Sequence, residues 1–443
     1  MRETFDIRAD GGIPRLTGQA VNTNNDNIWI RTFDLFTTPK ILSGAAALML
    51  VTTLLLYAVH MMQLPPLEGS NGQTKTGDYF AFYSGAEMVS RGLGGDLFNL
   101  DAQQALQHEL AGEGEWAEWN AYLNPPGFAI LLALFAPLGF HGSFFAYDAL
   151  CVLLFALAAA SLKPHLPQLT RTPARTLLTL LAVLSLRQVS QPMLMGQNTT
   201  ITLSLLGLAY AAHRSNRPVA LGIALGLLSY KPQFLLPLLP FFVLRKEWLA
   251  VGVAATVSLL HYAIGALVCG WDWPWNMLDA LQGFVPDQRA AQVHMSLPGA
   301  ADVLFSPPLA SLVTLIGCAA VVWVWLRAFR QRAWERQAFG AGWALLVLGC
   351  LLISPHLNYY DSGVMVLPVL LLVEHRLTVN SEPFTRGERL WLLLLWGAYP
   401  SWSLAEHLPV QPLLFVLLGA FVWAARLVQR GTEGALHEAP AIG

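Results

Sequence analysis

The sequence predicts an all-α protein that crosses a membrane many times, and three observations predict it. Of 443 residues, 55% are hydrophobic and 12% are charged, about half the charged share of ordinary soluble domains. The apolar residues fall in runs that approach the roughly 20 residues needed to cross a bilayer. The lysines and arginines then segregate to one side of an alternating path through those runs. One soluble core could not hide so much apolar surface, whereas lipid can act as its solvent.

Apolar spans are read at about 41–62, 144–162, 176–194, 199–213, 218–230, 233–244, 248–268, 308–327, 338–354, 362–373, 390–406 and 411–426. The first begins only after Lys40, so no cleavable signal is expected. Residues 1–40 and 431–443 read as cytoplasmic tails flanking a membrane domain at 41–430. The stretch 125–140 (PPGFAILLALFAPLGF) is apolar but short and interrupted by proline and glycine. Counting it as a crossing inverts every later loop, so it reads as a juxtamembrane or re-entrant helix buried against protein. The expected number of crossings is about twelve, within a range of 11–13, with both termini inside. On this path the inner segments hold 21 of the 26 lysines and arginines. The outer segments hold only Lys75, Arg91, Lys231 and Arg289, and Arg187 falls within a span. The first outer loop, 64–124, is long and acidic. The second, 269–307, opens with Trp271, Trp273 and Trp275, residues suited to the headgroup level.

Several function classes drop out. A net charge of −2 without a basic tail speaks against a nucleic-acid partner. Cys151, Cys269, Cys318 and Cys350 lie far apart, so neither a disulfide framework nor a zinc site is indicated. No P-loop, nucleophile elbow or metal-ligand spacing occurs. The internal repeats and paired broken helices common in secondary transporters are not evident.

The candidate reactive residues gather on the expected outer side. Asp78 opens an amphipathic helix in TGDYFAFYSGAEMVSRG, with Tyr79, Phe82, Tyr83 and Ala86 on one side and Glu87 nearby. A carboxylate there can take a proton from an incoming hydroxyl, or it can cap its helix. Gln197 and Asn198, in MGQNTT, can bind sugar hydroxyls or satisfy a turn. Lys231, in SYKPQF, is a cation between two apolar spans, suited to an anion such as a lipid phosphate or to snorkelling. Arg187 needs a carboxylate, carbonyls or a phosphate. His356, Tyr359, Tyr360 and Asp361, in SPHLNYYD, can handle protons and bind phosphate or sugar, or Asp361 can cap the next helix. Asn124 and, less informatively, His294 share this side.

These words, in this order, resemble the GT-C superfamily of membrane glycosyltransferases, and more closely the bacterial glycosyltransferase 87 family. The matching pieces run GDYFAFYSGAEMVSRG, LFN, YLNPPGFAILLALFAPL, GQNTT, RPVALGIALGLLSYKPQFLLPLLP, RKEW and SPHLNYYD, covering roughly residues 40–375. One departure is Asn124, which stands where the family commonly has the tyrosine of a Tyr-Pro-Pro helix. The resemblance implies a GT-C-type fold in the bacterial inner membrane, with the active site facing the periplasm or cell exterior. It further implies inverting transfer of one sugar, mannose being the family's best-known choice, from a polyprenyl-phosphate donor to a glycolipid or glycan hydroxyl. Asp78 matches the family's catalytic base. Lys231 is the expected donor-phosphate residue, supported by Arg187 and His356. Tyr79, Tyr83, Glu87, Asn124, Gln197, Asn198, His294, Tyr360 and Asp361 are expected to line the substrates. No cofactor or divalent ion is demanded, and the partners are membrane lipids, the donor and the acceptor. The competing reading is a transporter or flippase in which the same groups hold a lipid-linked or polar cargo.

Overall fold

A computed structural model describes residues 30, 32–62, 79–111, 119–194, 196–284, 295–330, 334–355, 357–380, 382–397, 408 and 410–438. The chain forms two units, Met1–Ala45 and Ala46–Gly443, and everything argued below concerns the second. Its described residues are helical, without a strand.

In order, the main helices are α1 (Pro39–Met62), α2 (Tyr79–Ser90), α3 (Leu100–Ala111), α4 (Pro126–Ala133), α5 (Gly139–Leu162) and α6 (Pro173–Ser185). They continue with α7 (Arg187–Leu194), α8 (Thr199–Arg214), α9 (Pro218–Leu227), α10 (Pro232–Leu244), α11 (Trp248–Cys269) and α12 (Trp273–Gly283). The rest are α13 (Leu297–Leu304), α14 (Pro307–Ala328), α15 (Phe339–Ile353), α16 (Val366–Val379), α17 (Arg386–Gly397) and α18 (Pro412–Glu438). Proline opens many of them, where its fixed φ suits the first helical turn and its missing N–H costs nothing. Thr172 and Ser296 cap α6 and α13 by accepting from the backbone of Arg175 and Gly299.

Burial separates an inner core from a lipid-facing shell. In α15, from Ala341 to Leu352, every residue is buried, and most of α8 is as well. Leu48, Leu54 and Leu56 on α1 and Leu312, Leu315 and Ile316 on α14 are instead exposed. So extensive an apolar surface is incompatible with water and natural in a bilayer. Among the described residues, six helices are long and apolar enough to span a membrane and four more are apolar but shorter. The protein is an all-α polytopic membrane protein.

The structure sharpens the expected spans at three places. The stretch at 125–140 is the eight-residue helix α4 followed by a 3-10 turn at Ala136–Leu138. At about 12 Å α4 is too short to cross, and it buries Pro126, Phe128, Ala129 and Leu132 against protein. The span expected at 176–194 is not one helix but two, α6 and α7, separated at Leu186 with extended backbone (ψ 120°). The last helix continues to Glu438, so the expected tail at 431–443 begins as helix. The described part of the long first loop is held together by side-chain hydrogen bonds: buried Gln103 accepts from the Tyr122 N–H at 2.6 Å, and buried Gln107 donates to Ser84 Oγ and the Asn120 carbonyl.

The two ends of α8 differ in character. Its C-terminal end meets a polar cluster: His213 Nε2 donating to Glu247 Oε1 at 3.1 Å, Arg245 paired with Glu335, and Trp343 donating to His213 Nδ1. Its N-terminal end meets the polar residues described next.

Candidate active site

Gly196 begins the site. Its φ of +65° places the chain in the left-handed region, and a Cβ there would come within 2.8 Å of the Tyr79 ring. Only glycine fits both conditions without strain. The turn leads into Gln197, Asn198, Thr199 and Thr200, all at least 97% buried. Asn198 occupies the N-cap position of α8, yet its side chain makes no capping bond. Its Nδ2 instead donates to Asn124 Oδ1 at 3.3 Å, and its Oδ1 is buried with no partner among the described residues. Thr199 Oγ1 is in the same condition. The amide of Asn198 therefore does not serve the turn. Its carbonyl accepts from Tyr230 Oη at 3.0 Å, and Tyr230 also shares a 2.5 Å hydrogen bond with Thr202.

Tyr230 precedes Lys231, which is 6% exposed. Burial rules out snorkelling, and a carboxylate of the chain itself stands beside Lys231. Lys231 Nζ lies 2.5 Å from Oδ1 of Asp361, itself 4% exposed. An ammonium has three N–H donors, and the described residues take one. Asp361 sits in the 3-10 segment Tyr359–Met365, so its carboxylate neutralises Lys231 instead of capping a helix. Close by, Asn358 donates to Tyr360 Oη at 2.6 Å. Gly363 lets this segment press onto α7 and α8, since a Cβ there would stand 3.0 Å from Thr199 Cγ2.

Helix α2 packs on this cluster through Tyr79, which is fully buried. Its hydroxyl is 2.6 Å from Ser143 Oγ, and its ring stacks on Tyr147 and meets Phe144 edge-on. Burial raises the Tyr79 pKa, which keeps it a neutral hydrogen-bonding group. Tyr79 is thus a wall residue whose polar end is already engaged. Tyr83 and Glu87 belong to a separate network. Tyr83 donates to Glu87 at 2.8 Å, and Arg91 bridges Glu87 at 3.0 Å and Glu109 at 2.7 Å. Burial and then the Glu87 hydrogen bond hold the Tyr83 pKa up.

Asn124, Gln197, Asn198, Lys231, Tyr360 and Asp361 are therefore brought to one end of the bundle, with Tyr79 against them. Arg187 is exposed at the start of α7, its Nε donating to Gln191 at 2.9 Å. Asp78, His294 and His356 lie outside the described residues. Beside the two histidines, the Met295 N–H donates to the Leu357 carbonyl at 2.9 Å, which ties the second loop to the Asp361 segment.

Four contributors were not anticipated: Tyr230, Thr199, Thr202 and Gln188. Gln188 is 2% exposed, and its Oε1 lacks a partner among the described residues. Polar TTIT inside an apolar span was the available signal for the threonines. Asp148, alone within α5, was likewise passed over. It is buried and accepts from Tyr57 Oη at 2.7 Å, and a membrane carboxylate is a functional candidate by position.

The glycosyltransferase family 87 model matches residues 122–355, just over half of the 443-residue chain. The chain belongs to glycosyltransferase family 87. Comparison with curated proteins and with solved structures gives no match. The family 87 segment contains Asn124, Gln197, Asn198 and Lys231, whereas Asp361 lies just beyond it and Asp78 before it. The protein is therefore a membrane glycosyltransferase, and the polar cluster falls mostly in the part that carries the family's pattern.

Proposed function

We propose that the protein moves a single sugar, mannose in the first instance, from a polyprenyl-phosphate donor to a hydroxyl of a glycolipid or glycan on the extracytoplasmic face, with inversion. The observation that carries this reading is the buried Asn198–Tyr230–Lys231–Asp361 cluster. Three segments distant in sequence converge in it, at the end of the bundle to which the helix following Asp78 is docked. Membership of a glycosyltransferase family favours transfer over transport for the same groups.

In the proposed step the acceptor oxygen attacks the anomeric carbon as its proton passes to Asp78. The bond from that carbon to the phosphate oxygen breaks, and polyprenyl phosphate departs with the electron pair. Attack opposite the leaving group inverts the configuration. A positioned base contributes about 10²–10⁴-fold, and cationic donors stabilise the charge gathering on the phosphate. Lys231 fills the second role with the N–H donors that Asp361 leaves over, supported by Arg187 and His356. Asn124, Gln197, Asn198, Tyr360 and Asp361 hold the sugar's hydroxyls, and Tyr79, Tyr83, Glu87 and His294 border the acceptor. The donor's chain lies between helices in the membrane, and neither cofactor nor metal takes part.

The test is an Asp78→Asn variant in membrane vesicles, supplied with a labelled polyprenyl-phosphate sugar. Transfer should fall by at least 10²-fold at equal expression. Undiminished transfer would remove Asp78 from the role of base.

A further inference from the structure

At the opposite end of α8 from the polar cluster, a groove of about 450 Å³ runs between α5, α8 and α9. Its walls are apolar, with Leu205 and Leu208 from α8 and Ile223 and Leu227 from α9. Ile223 and Leu227 are 44% and 48% exposed, so the groove opens toward the lipid. Polar residues close one end, where α5 and α8 terminate and α9 begins: Ser161, His165, Ser215 and Arg217. His165 Nε2 and Ser215 Oγ are 3.1 Å apart. Arg217 is exposed and has no ion-pair partner among the described residues. The neighbouring Arg214 stacks 5.1 Å over Phe339, and Glu374 is occupied by the backbone N–H groups of Gln168 and Leu169.

We propose that this groove is a binding site for an anionic glycerophospholipid, its phosphate on Arg217 with His165 and Ser215, and one acyl chain lying along Leu205, Leu208, Ile223 and Leu227. A topological excess of arginine at one membrane face accounts for a cation there, but not for its position at the mouth of an apolar channel. Helix α9 is about 15 Å long, half the hydrocarbon thickness, so a lipid chain beside it covers apolar wall that the protein leaves open. Guanidinium suits a phosphodiester because its planar fork meets two oxygens at once. The site lies at the far end of α8 from Asn198 and does not depend on the proposed sugar transfer.

Native mass spectrometry of the full chain in detergent, offered equal amounts of dioleoyl phosphatidylglycerol and dioleoyl phosphatidylethanolamine, tests this. The wild type should retain phosphatidylglycerol at least fivefold over the zwitterionic lipid. Arg217→Gln should cut that preference about fivefold, the contribution of one arginine at an anionic surface. Ala220 also lines the groove, so Ala220→Trp, which fills it without touching charge, should reduce retention, while Arg330→Gln, at an exposed arginine just past α14 and outside the lining, should leave it unchanged. Equal retention of the two lipids, an unaltered preference in Arg217→Gln or Ala220→Trp, an equal loss in Arg330→Gln, or displacement of phosphatidylglycerol by polyprenyl phosphate would each overturn the proposal.

Discussion

Removing either partner of the Lys231–Asp361 pair should destabilise the protein far more than removing both. At 2.5 Å two unit charges attract by roughly 7 kcal/mol at an effective dielectric of 20. Taking each ion out of water costs several kcal/mol, so the pair as a whole contributes little net stability. Asp361→Leu leaves an ammonium that is 6% exposed without its counter-charge, at a cost of about 3–5 kcal/mol. Lys231→Met strands the carboxylate with a similar loss. The double variant Lys231→Met/Asp361→Leu should recover most of the stability, giving a coupling of at least about 2 kcal/mol. Equilibrium unfolding in mixed detergent micelles measures all four corners of the cycle. Strictly additive single-variant losses, or single variants within about 0.5 kcal/mol of wild type, would refute the buried pair. Sugar transfer by the double variant separates the roles: a folded but inactive protein means that the charges serve the reaction.

Other variants probe the surroundings. Tyr230→Phe deletes the hydrogen bonds to the Asn198 carbonyl and to Thr202 and should cost about 1–3 kcal/mol, read by the same unfolding assay. Gly196→Ala should lose at least about 1–2 kcal/mol from its positive φ alone, and transfer activity should fall because Tyr79 must move. Glu388 is held below the usual carboxylate range: burial raises its pKa, but the Arg376 and Thr385 hydrogen bonds outweigh it. Its stabilising effect is therefore complete above pH 4.5 and lost as pH falls through the depressed value. A Glu388→Gln variant should show a shallower loss of stability across that acid range in a pH series of melting curves.

The membrane class and most helix positions are legible in the sequence because lipid imposes length and apolarity on each span directly. The reading of 125–140 as a non-crossing helix also follows from local chemistry, since proline and glycine cut it short. The break at Leu186 is not legible in that way. Polar Arg187, Gln188, Ser190 and Gln191 follow Leu186 at once and end the apolar run, but only the packing of α7 against the 359–365 segment shows the chain resuming there as a second helix. At the site, the Lys231, Asn198 and Asp361 words each stand out as polar residues in apolar surroundings. Their connections do not. Lys231 and Asp361 are 130 positions apart, and a cation in isolation reads equally as a phosphate partner. Tyr230 does not stand out in the sequence for a related reason, because an aromatic ring beside a membrane span is ordinary until its hydroxyl bridges Asn198 and Thr202.

Inverting sugar transfer from a lipid-linked monophosphate is open to direct measurement. Its most direct test gives purified protein in liposomes a polyprenyl-phosphate mannose of known anomeric configuration and a glycolipid acceptor. NMR then assigns the configuration of the new glycosidic bond. A single added mannose of opposite configuration is expected, with free polyprenyl phosphate released in equal amount. Retained configuration, or no transfer from the monophosphate donor, would contradict it.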